Sequence, residues 1–368
     1  CRDADAPLTG RQMPLAELVV EDLRCIERLE TALHPGLNLV SGPNGAGKTS
    51  ILEALFLLGR GRSFRTRSSE RLIRHDQDRL ISFGRTASHA IGVEVRRDPG
   101  RSGATTRAKV NGEFVGSLAE LTTIFPVQVI DPEIQQLVDG GATGRRRWLD
   151  WSVFHVEPGF GDCWARYARA LKQRNAALRG GASPGALVAW DRELVAAGVP
   201  MAEARARHFD DLEARWREAQ QALLGTEVSA TWTWGWDRER TLEVALQGAR
   251  DHDVSRGTTS VGPHRADLRL RVGHRAAREV LSRGQQKLLA LSMVFAQLEL
   301  LQSTLQIRPT LLIDDPAAEL DNFRLSVVVE RVRALETQLV VTTLAPETSL
   351  FGRPDRVLQI GQGRVQSL

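Results

Sequence analysis

The spacing of apolar and polar residues changes several times along the chain, and each change marks a predicted element. Leu15 to Val20 and Gly36 to Ser41 read as strands, and Thr49 to Leu58 as a helix. Short alternating runs follow at Leu80 to Phe83, Ala90 to Arg96 and Ala108 to Phe114, divided by Gly, Asn and Pro. Asn111-Gly112 is a hairpin-turn pair, so this part predicts a β-rich layer.

From Glu133 to Gly225 the spacing becomes helical. Phe160 to Leu178, Leu187 to Ala197 and Met201 to Leu224 predict three helices, the first two separated by the Gly-rich run 180–185. The longest would reach roughly 35 Å at 1.5 Å per residue. Strands return at Val228 to Trp236 and Asp267 to Val272. After these come a helix beyond Gly284, a buried strand Thr310 to Ile313, a helix Asn322 to Leu335, a strand Gln338 to Thr343 and a hairpin Val357 to Val365. A chain of 368 residues exceeds one compact core. The pattern predicts an α/β domain formed by both chain ends, 13–125 and 227–368, with a helical lobe, 126–226, inserted between them.

Composition narrows the class. At 42% hydrophobic and 26% charged the chain reads as soluble and globular, and with no charged start followed by an apolar run it is expected to be cytoplasmic. The apolar stretch Ile51 to Leu58 falls far short of the roughly 20 residues of a membrane span, so no membrane partner is expected. Cys1, Cys25 and Cys163 are too scattered for a zinc site and too few for a disulfide framework. Cys1 to Gln12 is polar and unpatterned, an upstream-start artefact or a disordered tail, with Met13 the natural start. Net charge is +4, but Arg60 to Val110 holds 13 basic against 5 acidic residues, leaving 36 against 40 elsewhere. Such a segment suits a polyanion or, equally, a solvated basic face.

Gly42-Pro43-Asn44-Gly45-Ala46-Gly47-Lys48-Thr49 fits the phosphate-loop pattern at every position, between a predicted strand and a predicted helix. Its glycines let backbone N–H groups turn toward a phosphate. Lys48 supplies charge to the β- and γ-phosphates, and Thr49 an oxygen to Mg²⁺. Only four of the 49 basic residues are lysines, Lys48, Lys109, Lys172 and Lys287, so a lysine here marks a place for a compact ammonium.

Thr310 to Ile313 ends in Asp314 and Asp315, the form of a Walker B strand. Two carboxylates there call for a cation. Asp314 is assigned to the Mg²⁺ shell through water, and Asp315 to positioning the attacking water. Leu281-Ser282-Arg283-Gly284-Gln285 resembles the LSGGQ signature of ABC-type ATPases, with Arg283 replacing a glycine. Ser282 and Gly284 at a helix start would form an anion site, or Ser282 a plain N-cap. Ala318-Glu319-Leu320-Asp321 stands where ABC heads carry a D-loop, and Thr342 and Thr343 where transporters carry a switch histidine, which argues against fast hydrolysis.

From about Met13 onward the chain resembles the RecF family of recombination mediators, compact relatives of the SMC-type ATPases. The resemblance is carried by Arg62-Ser63-Phe64-Arg65, Gly144 to Asp150, Leu171 to Asn175, Gly262 to Leu268 and Leu281 to Lys287. It implies an ABC-type P-loop ATPase head and an ATP-dependent homodimer at DNA single-strand/double-strand junctions. It further implies weak DNA-stimulated hydrolysis and work with RecO- and RecR-type mediators in loading a recombinase during gap repair and the SOS response. Only about 145 residues separate Gly116 from Gly262, too few for long SMC coiled coils.

In that frame Gln128 is the candidate for the Mg²⁺-sensing glutamine of ABC heads, with Gln135 or Gln136 as alternatives. Arg62, Arg65, Arg67, Arg71 and Arg74 are candidate DNA contacts, with Arg65 alternatively approaching the nucleotide. Arg145 to Arg147 suit DNA or a salt bridge to Asp150. His264, Arg265 and Asp267 suit a cluster near the nucleotide or an Arg–Asp brace. Trp232, Trp234 and Trp236 would share one strand face, packed in a core rather than stacked on bases. The leading expectation is an ATP-sandwiched dimer; an ATP-gated protein scaffold is the alternative, and a transporter motor fits poorly.

Overall fold

The computed structural model describes residues 14–100, 103–316, 322–344 and 350–366. The leader through Met13 and the D-loop stretch Ala318 to Asp321 lie outside the described residues. Strands in chain order are β1 (Glu17–Leu23), β2 (Ile26–Ala32), β3 (Leu37–Ser41), β4 (Arg79–Arg85), β5 (Ala90–Arg97), β6 (Ala104–Val110), β7 (Glu113–Phe114), β8 (Val127–Ile130), β9 (Ser229–Thr233), β10 (Asp267–Val272), β11 (Arg275–Ala276), β12 (Thr310–Ile313), β13 (Leu339–Thr343), β14 (Arg356–Gly361) and β15 (Arg364–Gln366). Helices are α1 (Lys48–Arg60), α2 (Glu120–Ile124), α3 (Gln136–Asp139), α4 (Ala142–Val156), α5 (Phe160–Arg179), α6 (Pro184–Leu223), α7 (Leu242–Gly248), α8 (Arg250–Arg256), α9 (Ala277–Val280), α10 (Arg283–Leu305) and α11 (Asn322–Ala334).

Two compact units form. One is drawn from both chain ends, through Ile134 and from Leu298 onward; the other is Gln135–Gln297. The first holds two six-stranded sheets. The order β2-β1-β4-β5-β6-β7 is antiparallel throughout, and its β6–β7 turn has left-handed Asn111 (φ 51) and Gly112 (φ 88), as the sequence pair demands. The order β15-β14-β3-β13-β12-β8 is parallel except at β15. Helix α1 is buried from Ser50 to Gly59. It shares one core with Leu18 and Val93 of the first sheet and Val40, Leu312 and Ile360 of the second. Each fully buried Leu or Ile of α1 contributes roughly 1.5–3 kcal/mol, which fixes its first turn at the carboxyl end of β3.

The second unit departs from the sequence pattern in three places. The two helices expected at Leu187 to Ala197 and Met201 to Leu224 are one 40-residue helix, α6, with Pro200 inside it. At 1.5 Å per residue it spans roughly 60 Å. Proline removes a single N–H bond, and Leu194, Ala197, Met201 and Ala202, buried on both sides of it, carry the helix through. Strand β9 stops at Thr233, because Gly235 turns at φ +89 so close to Gly262 that an added Cβ would stand 2.1 Å from the Gly262 carbonyl oxygen. Trp234 and Trp236 therefore leave the strand and pack edge to face, centroids 5.5 Å apart, with Arg238 over Trp234. All three tryptophans are half-buried.

The third departure is the boundary: this unit runs to Gln297, where the sequence placed the return to the first domain at 227. Ion pairs tie residues well past 227, as far as Asp267, into this unit. Arg145 grips Asp267 through two bonds (2.8 and 3.1 Å) and Arg205 grips Asp150 through two (2.6 and 2.8 Å) while also donating to the Pro263 carbonyl. Arg174, fully buried, pairs with Asp191 and Asp253. These charges balance only with residues 253–267 folded onto α4, α5 and α6. Among the described residues α10 has the length and composition of a membrane span, which the stretch Ile51 to Leu58 lacked; 72% of its most apolar window is buried inside the molecule.

Candidate nucleotide site

The parallel sheet places the site by its strand order. Ligands of such sheets bind beyond the carboxyl ends of the strands. Here β13 lies between β3 and β12, so the phosphate loop after β3 and the acids after β12 flank the Thr342-Thr343 end of β13. A cleft of about 330 Å³ results, lined by Asn44, Gly45, Gly47, Lys48, Thr49, Arg65, Asp314, Asp315, Thr342 and Thr343, among others.

The loop geometry follows from its glycines. Gly42 cannot carry a side chain, because a Cβ would stand 2.3 Å from the Ile360 carbonyl oxygen. Gly45 (φ +78) is different: an added Cβ would meet nothing within 4 Å, so only its left-handed backbone, and not this chain's own packing, requires glycine. The first bond closing α1 runs from Ile51 N–H to the Gly47 carbonyl. The N–H groups of Lys48, Thr49 and Ser50 therefore have no intrahelical acceptor, and the helix dipole adds to them. Lys48 Nζ donates to the carbonyls of Gly42 (2.6 Å) and Pro43 (3.0 Å). Burial lowers its pKa, while Asp314 and Asp315 act in the opposite direction.

Asp314 gathers two hydroxyls. Thr49 Oγ1 donates to its two oxygens (3.1 and 3.0 Å) and Thr342 Oγ1 to Oδ1 (2.7 Å), while the Asp315 N–H donates to Thr342 Oγ1 (3.0 Å). Asp315 is exposed at the cleft with φ +49, a conformation costing a non-glycine residue on the order of 1 kcal/mol or more. The donor set fits a hard divalent cation: hydroxyl and carboxylate oxygens converge beside a lysine and a helix start.

Gln128 is not brought there. It sits mid-strand opposite Leu311, is buried, and its own Oε1 accepts the Val129 N–H. Pro132 lines the cleft just past the end of this strand, and before it stands Asp131, near enough to Asp314 and Arg65 to feel their charges. Burial raises the Asp131 pKa to about 6, with Asp314 adding to the rise and the Glu133 N–H and Arg65 opposing it. Sequence reasoning missed Asp131 because register, and not motif, puts it beside Asp314. Gln135 and Gln136 belong to the other unit.

Ser282 caps α10. The Ser282 N–H donates to Gln285 Oε1 (2.9 Å) and the Gln285 N–H to Ser282 Oγ (3.3 Å), a reciprocal capping box. Beside it, an added Cβ on Gly284 would meet nothing within 4 Å.

The candidate DNA arginines separate. Arg65 lines the cleft, Arg67 and Arg71 are exposed, Arg62 is half-buried, and Arg74 lies 3.4 Å from Asp22 and 3.6 Å from Glu27. Within the basic segment Arg79, Arg96 and Arg97 also meet carboxylates, so part of its positive charge is locally balanced. Of Arg145 to Arg147 only Arg147 is exposed; Arg146 donates to the Ala266 carbonyl, and the partner of Asp150 is Arg205. Asp267 braces Arg145 rather than Arg265, and His264 bonds Tyr167 Oη (2.7 Å) and the Thr259 carbonyl.

The profile of the family described as RecF/RecN/SMC N terminal domain matches residues 14–364. A protein of Pectobacterium atrosepticum described as DNA replication and repair protein RecF is 37% identical over 372 residues, covering 96% of this chain and 98% of that one. Among solved structures, the recombination mediator protein RecF-ATP in the RecFOR pathway superposes with TM-score 0.84 at 23% identity, covering all of both chains. An Smc head domain of Pyrococcus furiosus superposes with TM-score 0.57 at 15% identity, covering 96% of each. By sequence the chain belongs to the RecF/RecN/SMC family and, within it, to the RecF proteins.

Proposed function

We propose that this chain binds Mg–ATP in the cleft after β3 and works as an ATP-gated DNA-binding dimer in recombinational repair and replication-gap processing, in the cytoplasm. The observation that carries the reading is the convergence of Thr49 and Thr342 on Asp314, within 3.1 Å, at the start of a helix opened by a phosphate loop. In this reading Lys48 donates to the β- and γ-phosphates, Thr49 and Asp314 hold Mg²⁺, and Asp315 orients the attacking water. Mg²⁺, when bound, neutralises phosphate charge. The second copy lends Ser282, Gly284 and Gln285, and the open space at Gly284 supports close approach from outside the chain. Duplex DNA with a single-stranded end is the polyanion, and mediators of the RecO and RecR type are the protein partners.

Sedimentation tests this directly. Wild type should dimerise with ATP, Lys48→Met should stay monomeric, and Asp315→Asn should persist as an ATP-bound dimer. A monomer at saturating ATP for both wild type and Asp315→Asn would end the reading. A second reading, an ATP-gated scaffold with incidental hydrolysis, is favoured by the hydroxyl of Thr342 standing on Asp314 where transporters have a histidine. A junction DNA that leaves the ATPase rate unchanged would select the scaffold.

A further inference from the structure

The phosphate-loop helix carries a carboxylate that nucleotide chemistry does not use. Glu53, one turn beyond Thr49, is 1% exposed within an apolar helix. A buried carboxylate needs partners, and three side chains from two loops supply them. Arg24, in the β1–β2 turn, donates from Nε and Nη2. Ser63 Oγ donates to Oε1 at 2.6 Å. Arg65 Nη1 stands 3.8 Å from Oε2, with half of its side chain exposed and facing the nucleotide cleft.

The partners are unequal. Arg24 and Ser63 saturate the carboxylate, whereas Arg65 is held at long range. Arg65 can therefore turn toward an anion in the cleft without stranding a buried charge, because Arg24 remains. Ser63 also fixes where Arg65 starts from: its Oγ accepts the N–H groups of Arg65 (2.9 Å) and Thr66 (3.1 Å), so the turn is pinned to α1 through Glu53.

We propose that Glu53 is a positioning residue for nucleotide binding, acting through Ser63 and Arg65 to hold the Arg65 guanidinium at the mouth of the cleft. The proposal rests on the cleft being the ATP site. Arg24 and Ser63 are its fixed anchors, and Arg65 is the cation it presents. Removing the carboxylate frees the 63–66 turn and costs ATP affinity only while Arg65 is there to be positioned.

A double-mutant cycle on ATP dissociation constants, with melting temperatures recorded for each variant, tests this. Glu53→Gln in the wild-type background should weaken ATP roughly tenfold, in the range for directly coupled neighbours. In the Arg65→Ala background the same change should leave affinity within about twofold. Ser63→Ala, which unpins the turn and leaves the buried ion pair with Arg24 intact, should repeat the pattern and serves if Glu53→Gln does not fold. Glu53→Asp should recover part of the affinity. Equal losses in both backgrounds, or no loss in either, would overturn the role of Glu53. Failure of the wild-type protein itself to bind ATP would instead remove the nucleotide reading beneath it.

Discussion

Asp131 offers the sharpest test of the electrostatics of the cleft. Its carboxyl is raised from 3.8 to about 6, by burial first and then by Asp314. Between these two pH values the unfolded chain holds this group ionised and the folded chain keeps it protonated. The unfolded state therefore binds fewer protons, so stability falls as pH rises through the window and the full cost is present above it. The displacement corresponds to about 3 kcal/mol, which solvent screening at a half-buried group lowers to roughly 1–3 kcal/mol. Asp131→Asn removes the ionisation and should stabilise the nucleotide-free protein by that amount at pH 7.5, and by roughly half as much at pH 5. At roughly 2–4 °C per kcal/mol for a unit of this size, thermal unfolding at the two pH values resolves the difference. Added Mg–ATP brings a cation beside Asp314 and should shrink the gain at pH 7.5. A gain that is identical at both pH values, or a loss at pH 7.5, would refute the assignment of a cost to the ionised form.

Other consequences are equally concrete. Arg205→Ala leaves Asp150 buried without its double-bonded partner and should cost on the order of 3–5 kcal/mol by chemical denaturation, with the loss confined to transitions of the Gln135–Gln297 unit. Pro200→Ala restores one helical N–H bond within α6 and should stabilise by about 1–3 kcal/mol; a destabilised variant would show that the helix needs its proline. If Arg67, Arg71 and Arg74 contact DNA phosphates, replacing all three with alanine should weaken binding alike across sequences and flatten the salt dependence by about three ions, whereas an unchanged slope would move the interface elsewhere.

The local chemistry was written in the chain. The phosphate loop, the apolar strand ending in Asp314 and Asp315, the Asn111-Gly112 hairpin and the run of helices from Phe160 all depend on neighbours within a few positions, where backbone sterics and side-chain period suffice. Helix α1 and strand β12 stand where the pattern put them, within a few residues. Even the RecF resemblance rested on short motifs, some of whose polar residues, such as Arg174 and Asp267, turned out to be partners in buried ion pairs.

Tertiary structure alone decided which distant residues meet. The strand order β3-β13-β12 puts Thr342 on Asp314, and the β8–β12 register sets Gln128 opposite Leu311 while leaving Asp131 within reach of the Asp314 charge. Long-range charge pairing joined residues as late as Asp267 to the helices α4, α5 and α6, and packing on both sides of Pro200 overrode a local helix breaker. In each case the deciding energy came from burying a charge or an apolar face against residues tens to hundreds of positions away. No local pattern in one sequence encodes such a contact.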